Sequence, residues 1–227
     1  MSGVRVISEN VQIYEAETVS NPGFACIAFG GVAKGLGVPV FEFLRTLSQA
    51  GISSLFIKDP AQGWYQNPIS DIGRDTHAMA QRISTLAAEE LAGKHIVTVG
   101  NSMGGYAAIA FACLCSFPRA ITFSPQTFIS HRLRQRYGDN RWQDKIDAIA
   151  ECQVDDLYPL LARHPVRASI YSGAAHPLDV IHAQHLEDLP GVTVELLPDT
   201  AHNVSARLRE HGLLDKIILE AGQELAR

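Results

Sequence analysis

The chain has 227 residues, 46% of them hydrophobic and 19% charged, and its formal net charge is −5. This length suits one ordinary domain, and the apolar content is sufficient to bury a core, so a disordered protein is not expected. The negative charge and the lack of a basic block disfavour nucleic acid or an anionic membrane surface as a partner, and no apolar stretch approaches the ~20 residues that span a bilayer.

The amino-terminal residues and the cysteines both give information about the cellular compartment. The opening sequence MSGVRVISENVQIYEAE lacks the long apolar core of a signal peptide. Cys26, Cys113 and Cys115 lie in apolar runs, and the spacing of the last two is shorter than in the usual zinc or redox pair. Buried free thiols therefore explain these cysteines better than a disulfide framework, and we expect a reducing, cytoplasmic setting.

Hydrophobic patterning alternates between strand-like and helix-like segments. In chain order, β-rich segments are expected at 4–7, 11–14, 24–29, 54–57, 95–99, 120–123, 168–171 and 192–197, and helical patterns at about 40–50, 71–92, 106–115, 178–186 and 205–226. This alternation predicts an α/β fold with a mainly parallel central sheet and helices on both faces. We find no internal repeat and no linker, so we expect a single domain over 1–227 with a small helical cap inserted at about 125–164.

One motif carries a specific chemical signal. The residues Gly100-Asn101-Ser102-Met103-Gly104 fit the pattern G-x-S-x-G. They directly follow an apolar β-branched strand and directly precede an alanine-rich helix, which is the context in which this pattern forms a nucleophile turn. Small residues two positions either side of Ser102 let the turn close, and the hydroxyl then projects at the carboxyl end of the sheet. A glycine-rich turn in which serine only caps the helix is the alternative.

Over nearly its whole length the chain resembles the α/β-hydrolase superfamily. The resemblance lies in IVTVGNSMGGYAA around Ser102, in Phe29-Gly30-Gly31 after an earlier strand, in Asp59 after the next strand, and in a late histidine, His202. It implies the α/β-hydrolase fold and chemistry like that of a serine esterase or thioesterase. It also implies a catalytic triad whose chain order is serine, acid, histidine.

The same resemblance implies two backbone donors for the oxyanion of an acyl-transfer transition state. One is the N–H of Met103, the residue after the nucleophile. The other comes from the loop after the earlier strand, where Gly31 or Val32 would supply it, and we prefer Gly31. The superfamily usually has a histidine–glycine pair where this chain has Phe29-Gly30, and a glycine turn that merely lets the chain leave the sheet is the alternative.

The base and the acid follow from chain order. His202 comes after the last expected strand and a short polar loop, which makes it the expected base among nine histidines. The acid is expected after the strand at 168–171, where many relatives have an aspartate and this chain has His176. Asp179 is the nearest carboxylate, and we choose it to orient His202. Asp179 could also cap a helix. Asp199 is the fallback acid, and a site without an acid, or with an unusual part for His176, is a further alternative.

A metal site is a weaker hypothesis for the same region. The residues that recur at every third position are His176, Asp179, His182 and His185. On a helix such spacing brings side chains toward one face, which could suit zinc. A three-residue interval drifts around the helix, however, and Pro177 disrupts its start. A polar helix surface is therefore favoured, and no metal is expected.

Aromatic and cationic residues are expected around the site. Trp64 and Tyr65 follow the loop after the strand at 54–57, which in this fold opens on the active-site face. We expect them either to line the substrate pocket or to cover the sheet edge. The cap contains three arginines, Arg134, Arg136 and Arg141. We expect a solvated helix face there, with a subsite for an anionic leaving group as the weaker alternative.

These residues together predict a serine hydrolase that cleaves an ester or thioester of a small-molecule substrate through an acyl-enzyme. Ser102 attacks, His202 moves the proton and Asp179 orients His202, while the N–H groups of Met103 and Gly31 stabilise the oxyanion. No cofactor is implied. One rival keeps the triad and transfers the acyl group to an acceptor other than water. The other rival is a non-catalytic binding protein with a decayed triad, since a fold alone does not establish activity.

Overall fold

A mostly parallel sheet forms the centre of the molecule. The computed structural model describes residues 3–16, 23–32 and 41–226. In these residues the strands are β1 Gly3–Ser8, β2 Val11–Glu15, β3 Phe24–Phe29, β4 Ser54–Ile57, β5 His95–Asn101, β6 Arg119–Phe123, β7 Arg167–Gly173 and β8 Val192–Leu197. They lie in the order β1-β2-β4-β3-β5-β6-β7-β8. β1 and β2 add an antiparallel hairpin to one edge, and the pairs from β4 through β8 are parallel.

Helices cover both faces of this sheet. In the described ranges they are α1 Leu44–Gln49, α2 Thr76–Glu90, α3 Met103–Cys115, α4 His131–Tyr137, α5 Gln143–Asp147, α6 Leu157–Arg163, α7 Pro177–Gln184, α8 Val204–Glu210 and α9 Leu214–Gln223. The predicted fold class, a parallel sheet with helices on both faces, is confirmed. None of the helices in the described part of the chain has the length and apolar character needed to cross a membrane.

The side chains of β3 show why its sequence is an unbroken apolar run. Alternate residues of a strand point to opposite faces. Ile27 and Phe29 belong to the apolar cluster that contains residues of α2 and α3, whereas Phe24 and Cys26 belong to the cluster that contains residues of α8 and α9. Because both faces of the strand are covered, both sets of positions are apolar, as is typical of parallel sheets.

The segment from β6 to β7 contains α4, α5 and α6, at the position where a helical cap was expected. Side-chain oxygens begin two of these helices: Ser130 accepts the N–H of Leu133 at 3.4 Å, and Asp156 accepts the N–H of Tyr158 at 2.9 Å. Gly138, in the left-handed conformation with φ 65°, ends α4. The division of the chain into one domain with an inserted cap stays a prediction.

The carboxyl-terminal pattern differs from the prediction of one helix over 205–226. The chain forms α8 and α9, with Gly212 between them at φ 65°. After this glycine, the N–H of Leu213 donates to the carbonyl oxygen of Leu208 at 2.9 Å and closes the end of α8. The apolar spacing continues across the glycine, so periodicity alone did not show the break. The helix predicted over 40–50 begins only at Leu44, because residues 41–43 lie outside any helix, and residue 40 lies outside the described residues.

Candidate active site

Ser102 lies at the sharp turn between β5 and α3. Its backbone has φ 55° and ψ −118°, a sparsely populated conformation for a residue with a side chain. The turn is held by the Ser102 N–H, which donates to the carbonyl oxygen of Phe123 at 2.9 Å. In return the Ser102 carbonyl oxygen accepts the N–H of Tyr106 at 3.1 Å and that of Gln126 at 3.4 Å. These contacts fix the hydroxyl at the carboxyl end of the parallel strands.

The glycines of the motif are required by contacts across this turn. A Cβ atom placed on Gly100 would lie 2.0 Å from the carbonyl oxygen of Gly104. One placed on Gly104 would lie 2.2 Å from the carbonyl oxygen of Phe29. Both distances are far below van der Waals contact, so only glycine fits at either position. The G-x-S-x-G spacing therefore follows from the close approach of β3, β5 and α3.

His202 lies in the loop between β8 and α8 and faces both other members of the predicted triad. Its Nε2 is 2.9 Å from the Oγ of Ser102, and its Nδ1 is 2.8 Å from the Oδ2 of Asp179. An ionised carboxylate can only accept, so Nδ1 carries the proton and donates it to Asp179. Nε2 is then left to accept the hydrogen of the Ser102 hydroxyl. The structure thus places the three residues in one hydrogen-bonded row.

Asp179 is buried and ionised in the first turn of α7. Burial raises the pKa of its carboxyl group, but the hydrogen bonds from His202 and Arg141 and the positive charge of Arg141 outweigh this effect and leave the pKa below its ordinary value. The helix begins at Pro177, with His176 at the N-cap position. Asp179 is therefore not the residue that caps the helix, and its carboxylate points toward His202 and Arg141 instead.

The alternatives for the acid lie to either side of this row. Asp199 is exposed in the loop before His202 and has φ 52°. The Nδ1 of His176 is 3.6 Å from the Oδ1 of Asp179, and its ring centroid is 6.3 Å from that of His202. His176 is therefore a neighbour of the pair rather than a link between serine and acid. The geometry favours Asp179.

The histidines of α7 make separate contacts. His182 hydrogen-bonds Asp139 at 3.0 Å, and His185 hydrogen-bonds Asp156 at 2.7 Å. Within the ranges that the structure describes, no group of three or more metal-ligating side chains converges on one point. The three-residue spacing in this segment therefore distributes its side chains among different partners.

Two backbone N–H groups flank the turn where the oxyanion donors were predicted. Met103 is the first residue of α3, so its N–H precedes the intrahelical hydrogen bonds. Gly31 packs against the turn, because a Cβ placed on it would lie 2.9 Å from the carbonyl oxygen of Asn101. The same Cβ would lie 3.2 Å from the Oε1 of Glu42. Both predicted donors thus lie beside Ser102, and a carboxyl group lies beside one of them.

Glu42 was not anticipated from the sequence. Burial raises the pKa of its carboxyl group to about 7, and the backbone N–H of Gly31 acts in the opposite direction as a hydrogen-bond donor. The N–H of Gly31 therefore has the Glu42 carboxyl group as its partner in this structure. Eleven positions separate Glu42 from Gly31, and no local motif in the sequence connects the two.

Arg141 was also missed, because the cap arginines were expected on a solvated face. That expectation is wrong for Arg134 and Arg141. Arg134 is only 3% exposed, and its Nη2 donates to the carbonyl oxygen of Arg141 at 2.8 Å. The Nη1 of Arg141 donates to the Oδ1 of Asp179 at 2.7 Å. A residue from the cap therefore contacts the predicted triad directly.

Solved structures with a similar fold share little sequence with this chain. FphF, a fluorophosphonate-binding serine hydrolase of Staphylococcus aureus, is 15% identical with a TM-score of 0.65, over 100% of this chain and 98% of that chain. MGS-MChE2, an alpha/beta hydrolase enzyme from the metagenome of lagoon sediments of Mar Chica, Morocco, is 14% identical with a TM-score of 0.61, over 96% and 98%. The chain has the α/β-hydrolase fold. The capsule O-acetyltransferase of Neisseria meningitidis serogroup A is also similar, at 15% identity and a TM-score of 0.63, over 96% and 97%.

Sequence comparison adds no relative to these structures. No protein-family model matches the chain, and no curated protein matches it. At 14–15% identity the similar structures show the α/β-hydrolase fold alone. What this chain does must therefore be argued from its own residues.

A cavity opens beside His202. Its volume is about 300 Å³, and Arg141, Trp142, His176 and His202 line it. Two of these residues come from the cap and two from the loops after β7 and β8. A larger cavity of about 630 Å³ lies at the other end of the sheet, where β7 begins, far from the turn at Ser102. Of these two cavities, the smaller is the one that His202 lines.

The structure corrects the expectation that Trp64 and Tyr65 line the substrate pocket. They are 0% and 1% exposed, and both have left-handed backbones, with φ 53° and 57°. The carboxylate of Asp59 bends this loop by accepting the N–H groups of Gly63 at 2.7 Å and Tyr65 at 2.9 Å. The Tyr65 hydroxyl donates to the carbonyl oxygen of Gly30 at 3.0 Å. Both aromatic side chains are thus core residues, and Tyr65 supports the loop that contains Gly30 and Gly31.

Proposed function

We propose that this protein is a serine hydrolase that cleaves an ester or thioester through an acyl-enzyme intermediate. The observation that carries the proposal is the row of contacts from Ser102 Oγ to His202 Nε2, 2.9 Å, and from His202 Nδ1 to Asp179 Oδ2, 2.8 Å. The row stands at a strained turn at the carboxyl end of the sheet. This is the arrangement that activates a serine hydroxyl, whose own acidity is too weak for attack at neutral pH.

The proposed reaction has two halves. Ser102 Oγ attacks the acyl carbonyl carbon while His202 Nε2 takes the hydroxyl proton, and Asp179 stabilises the resulting imidazolium. The N–H groups of Met103 and Gly31 stabilise the oxyanion, and removing one such donor typically costs about 3–4 kcal/mol of transition-state stabilisation. His202 then gives its proton to the leaving alcohol or thiol. Water, deprotonated by His202, attacks the acyl-Ser102 ester, and the bond from the acyl carbon to Ser102 Oγ then breaks. His202 returns its proton to Ser102 Oγ as the acid is released.

Hydrolysis is favoured over transfer to another acceptor by the access of solvent to the base. The His202 side chain is 20% exposed and lines a cavity beside the turn. FphF is a serine hydrolase and the Neisseria protein is an O-acetyltransferase, so the similar structures include both outcomes. The proposed substrate is a small acyl compound, and the proposed chemistry needs no cofactor. The four cysteines are free thiols, which supports the proposed reducing, cytoplasmic setting.

The test is covalent labelling with a fluorophosphonate probe, followed by peptide mass spectrometry. Stoichiometric phosphonylation of Ser102 is expected at neutral pH, and Ser102→Ala, which lacks the hydroxyl, should remain unlabelled. A protein that folds normally but takes up no probe would be a binding protein rather than a hydrolase, and the proposal would then be abandoned. Labelling at another residue would also contradict it.

Two matched variants test which carboxylate is the acid of the proposed triad. Asp179→Asn should reduce hydrolysis of a p-nitrophenyl ester by about 10⁴-fold, because His202 would lose the partner that fixes its tautomer. Asp199→Asn, in the exposed loop near His202, should leave hydrolysis within about twofold of the unmodified protein. Loss of hydrolysis in Asp199→Asn alone would show that the acid has been assigned to the wrong residue.

A further inference from the structure

Arg141 joins the acid of the proposed triad to a second buried carboxylate. Its Nη1 donates to Asp179 Oδ1 at 2.7 Å, its Nε donates to Asp139 Oδ1 at 3.0 Å, and its Nη2 donates to Asp139 Oδ2 at 2.8 Å. Both carboxylates are 1% exposed, and the arginine side chain is 20% exposed. A planar guanidinium held on two sides has a fixed orientation, so the position of its remaining N–H groups is also fixed.

Asp139 is itself held from the opposite side. Its Oδ2 lies 3.0 Å from the Nε2 of His182, whose Nδ1 accepts the backbone N–H of Thr127 at 3.0 Å. Burial lowers the pKa of His182 to about 4, which keeps the ring neutral near pH 7, so Nε2 carries the hydrogen and donates it to Asp139. Thr127, His182, Asp139 and Arg141 therefore form a continuous chain of hydrogen bonds that ends on Asp179.

We propose that Arg141 is a positioning residue that keeps Asp179 ionised and turned toward His202. The inference rests on the proposed function. The two oxygens of Asp179 have separate partners, since Oδ1 accepts from Arg141 and Oδ2 accepts from His202. The arginine thereby opposes rotation of the carboxylate away from the imidazole. It also supplies the positive charge that a buried carboxylate needs.

The charge balance around Arg141 argues against the alternative role of this arginine, a subsite for an anionic leaving group. Arg141 is paired with Asp139 and Asp179, so the three side chains together carry a net charge of −1. An anionic leaving group would meet a guanidinium whose charge is already compensated. A subsite for an anion is therefore disfavoured, although the side chain lines the cavity beside His202.

The first test combines truncation with chemical rescue. In Arg141→Ala, kcat for a p-nitrophenyl ester is expected to fall about 10–100-fold, with KM changed much less, because misplacement of a catalytic group by about 1 Å has costs of this size. Millimolar guanidinium should restore part of the lost kcat by entering the exposed gap, and urea at the same concentration should not. Arg132→Ala, which removes an exposed arginine of α4, is the matched control and should retain full activity.

The second test does not depend on turnover. A pH titration of the Asp179 carboxyl carbon by NMR should show a raised pKa in Arg141→Ala relative to the unmodified protein. If Arg141→Ala does not fold, Arg141→Lys serves instead, because it keeps the charge but loses the fork, and an intermediate kcat is expected. An unchanged pKa of Asp179 together with an unchanged kcat would overturn the positioning role. Absence of Ser102 labelling in the unmodified protein would overturn the proposed function instead, while the titration would still report on the Arg141 contact.

Discussion

At the scale of single residues, the environment of Glu42 disfavours the ionised form of its carboxyl group. Burial raises the pKa of its carboxyl group to about 7 from its ordinary value of 4.5. The N–H of Gly31 donates to this side chain, and the other polar residues around a shared cavity are Arg45, Thr46, Asn101, Ser205 and Arg209. Because the folded state favours the protonated form, Glu42 contributes most to stability below pH 4.5. That contribution is lost as the pH rises from 4.5 to 7.

Replacing this carboxyl group by an amide should therefore stabilise the fold at high pH. Glu42→Gln is expected to raise the free energy of unfolding by on the order of 1–3 kcal/mol at pH 8 and to leave it unchanged at pH 4. Urea denaturation at a series of pH values measures this difference. Glu89→Gln, at an exposed position of α2, is the control and should show no such trend. A difference between Glu42→Gln and the unmodified protein that did not vary with pH would contradict the assignment.

At the scale of elements, the junction of β3, β5 and α3 determines the position of Ser102. The turn needs Gly104 for a steric reason, because its Cα faces the backbone of Phe29. The break between α8 and α9 needs Gly212 for a conformational reason, because its φ is 65° while no described atom lies within 4 Å of a Cβ placed on it. Substitution of Gly104 therefore tests the cost of close contact, and substitution of Gly212 tests the cost of backbone strain.

Alanine substitution at these two glycines should have different costs. Gly104→Ala is expected to cost about 3 kcal/mol or more, or to prevent folding, because backbone atoms must move to admit the methyl group. Gly212→Ala should cost about 1–2 kcal/mol, the usual penalty for a left-handed residue with a side chain. Chemical denaturation of both variants gives the comparison. Equal losses would contradict the steric explanation of the turn at Ser102.

At the scale of the whole molecule, the segment between β6 and β7 is connected to α7 through buried ionisable groups. His182 is neutral because burial lowers its pKa to about 4. Burial alone would raise the pKa of Asp139, but hydrogen bonds from His182 and Arg141 together with the charge of Arg141 hold it well below its usual range. The neutral histidine contributes stability that is present above pH 6.5 and is lost as the pH falls toward 4. The two buried aspartates, Asp139 and Asp179, add a further loss below their unfolded pKa of about 3.9.

Acid should therefore weaken the fold in two steps. The first, between pH 6.5 and 4, is expected to amount to on the order of 1–3 kcal/mol and to disappear in His182→Gln, whose amide takes up no proton. The ionisation of Glu42 changes the free energy of unfolding in the opposite direction between pH 4.5 and 6.5. The pH series is therefore best measured in the Glu42→Gln background. Urea denaturation between pH 3 and 8 is the measurement. A first step that persisted at full size in His182→Gln would exclude this histidine as its cause.

The sequence predicted those features that depend on local pattern. The unbroken apolar run of Phe24–Phe29 indicated a strand covered on both faces, and the motif around Ser102 indicated a turn between a strand and a helix. Chain order then selected His202 and Asp179, which the structure brings within hydrogen-bonding distance. Each of these inferences uses either neighbouring residues or the fixed order of strands in the superfamily.

Features that depend on contacts between distant segments could not be predicted in this way. Arg141 meets Asp179 across 38 positions, and Glu42 meets Gly31 through a loop that is only partly described. Trp64 and Tyr65 were expected to line the substrate pocket or to cover the sheet edge, because nothing in their own sequence shows that the Asp59 carboxylate turns the loop inward. The burial and the pairing of polar side chains depend on which distant segments the fold brings together.

The acyl-enzyme is the central claim, and it can be observed directly. The protein is mixed with p-nitrophenyl acetate, quenched with acid within milliseconds to seconds, digested and examined by mass spectrometry. We predict that the peptide containing Ser102 carries an acetyl group, that this group appears together with a burst of p-nitrophenol, and that it is absent in Ser102→Ala. Sustained ester hydrolysis without acetylation of Ser102, or with equal hydrolysis in Ser102→Ala, would contradict the account.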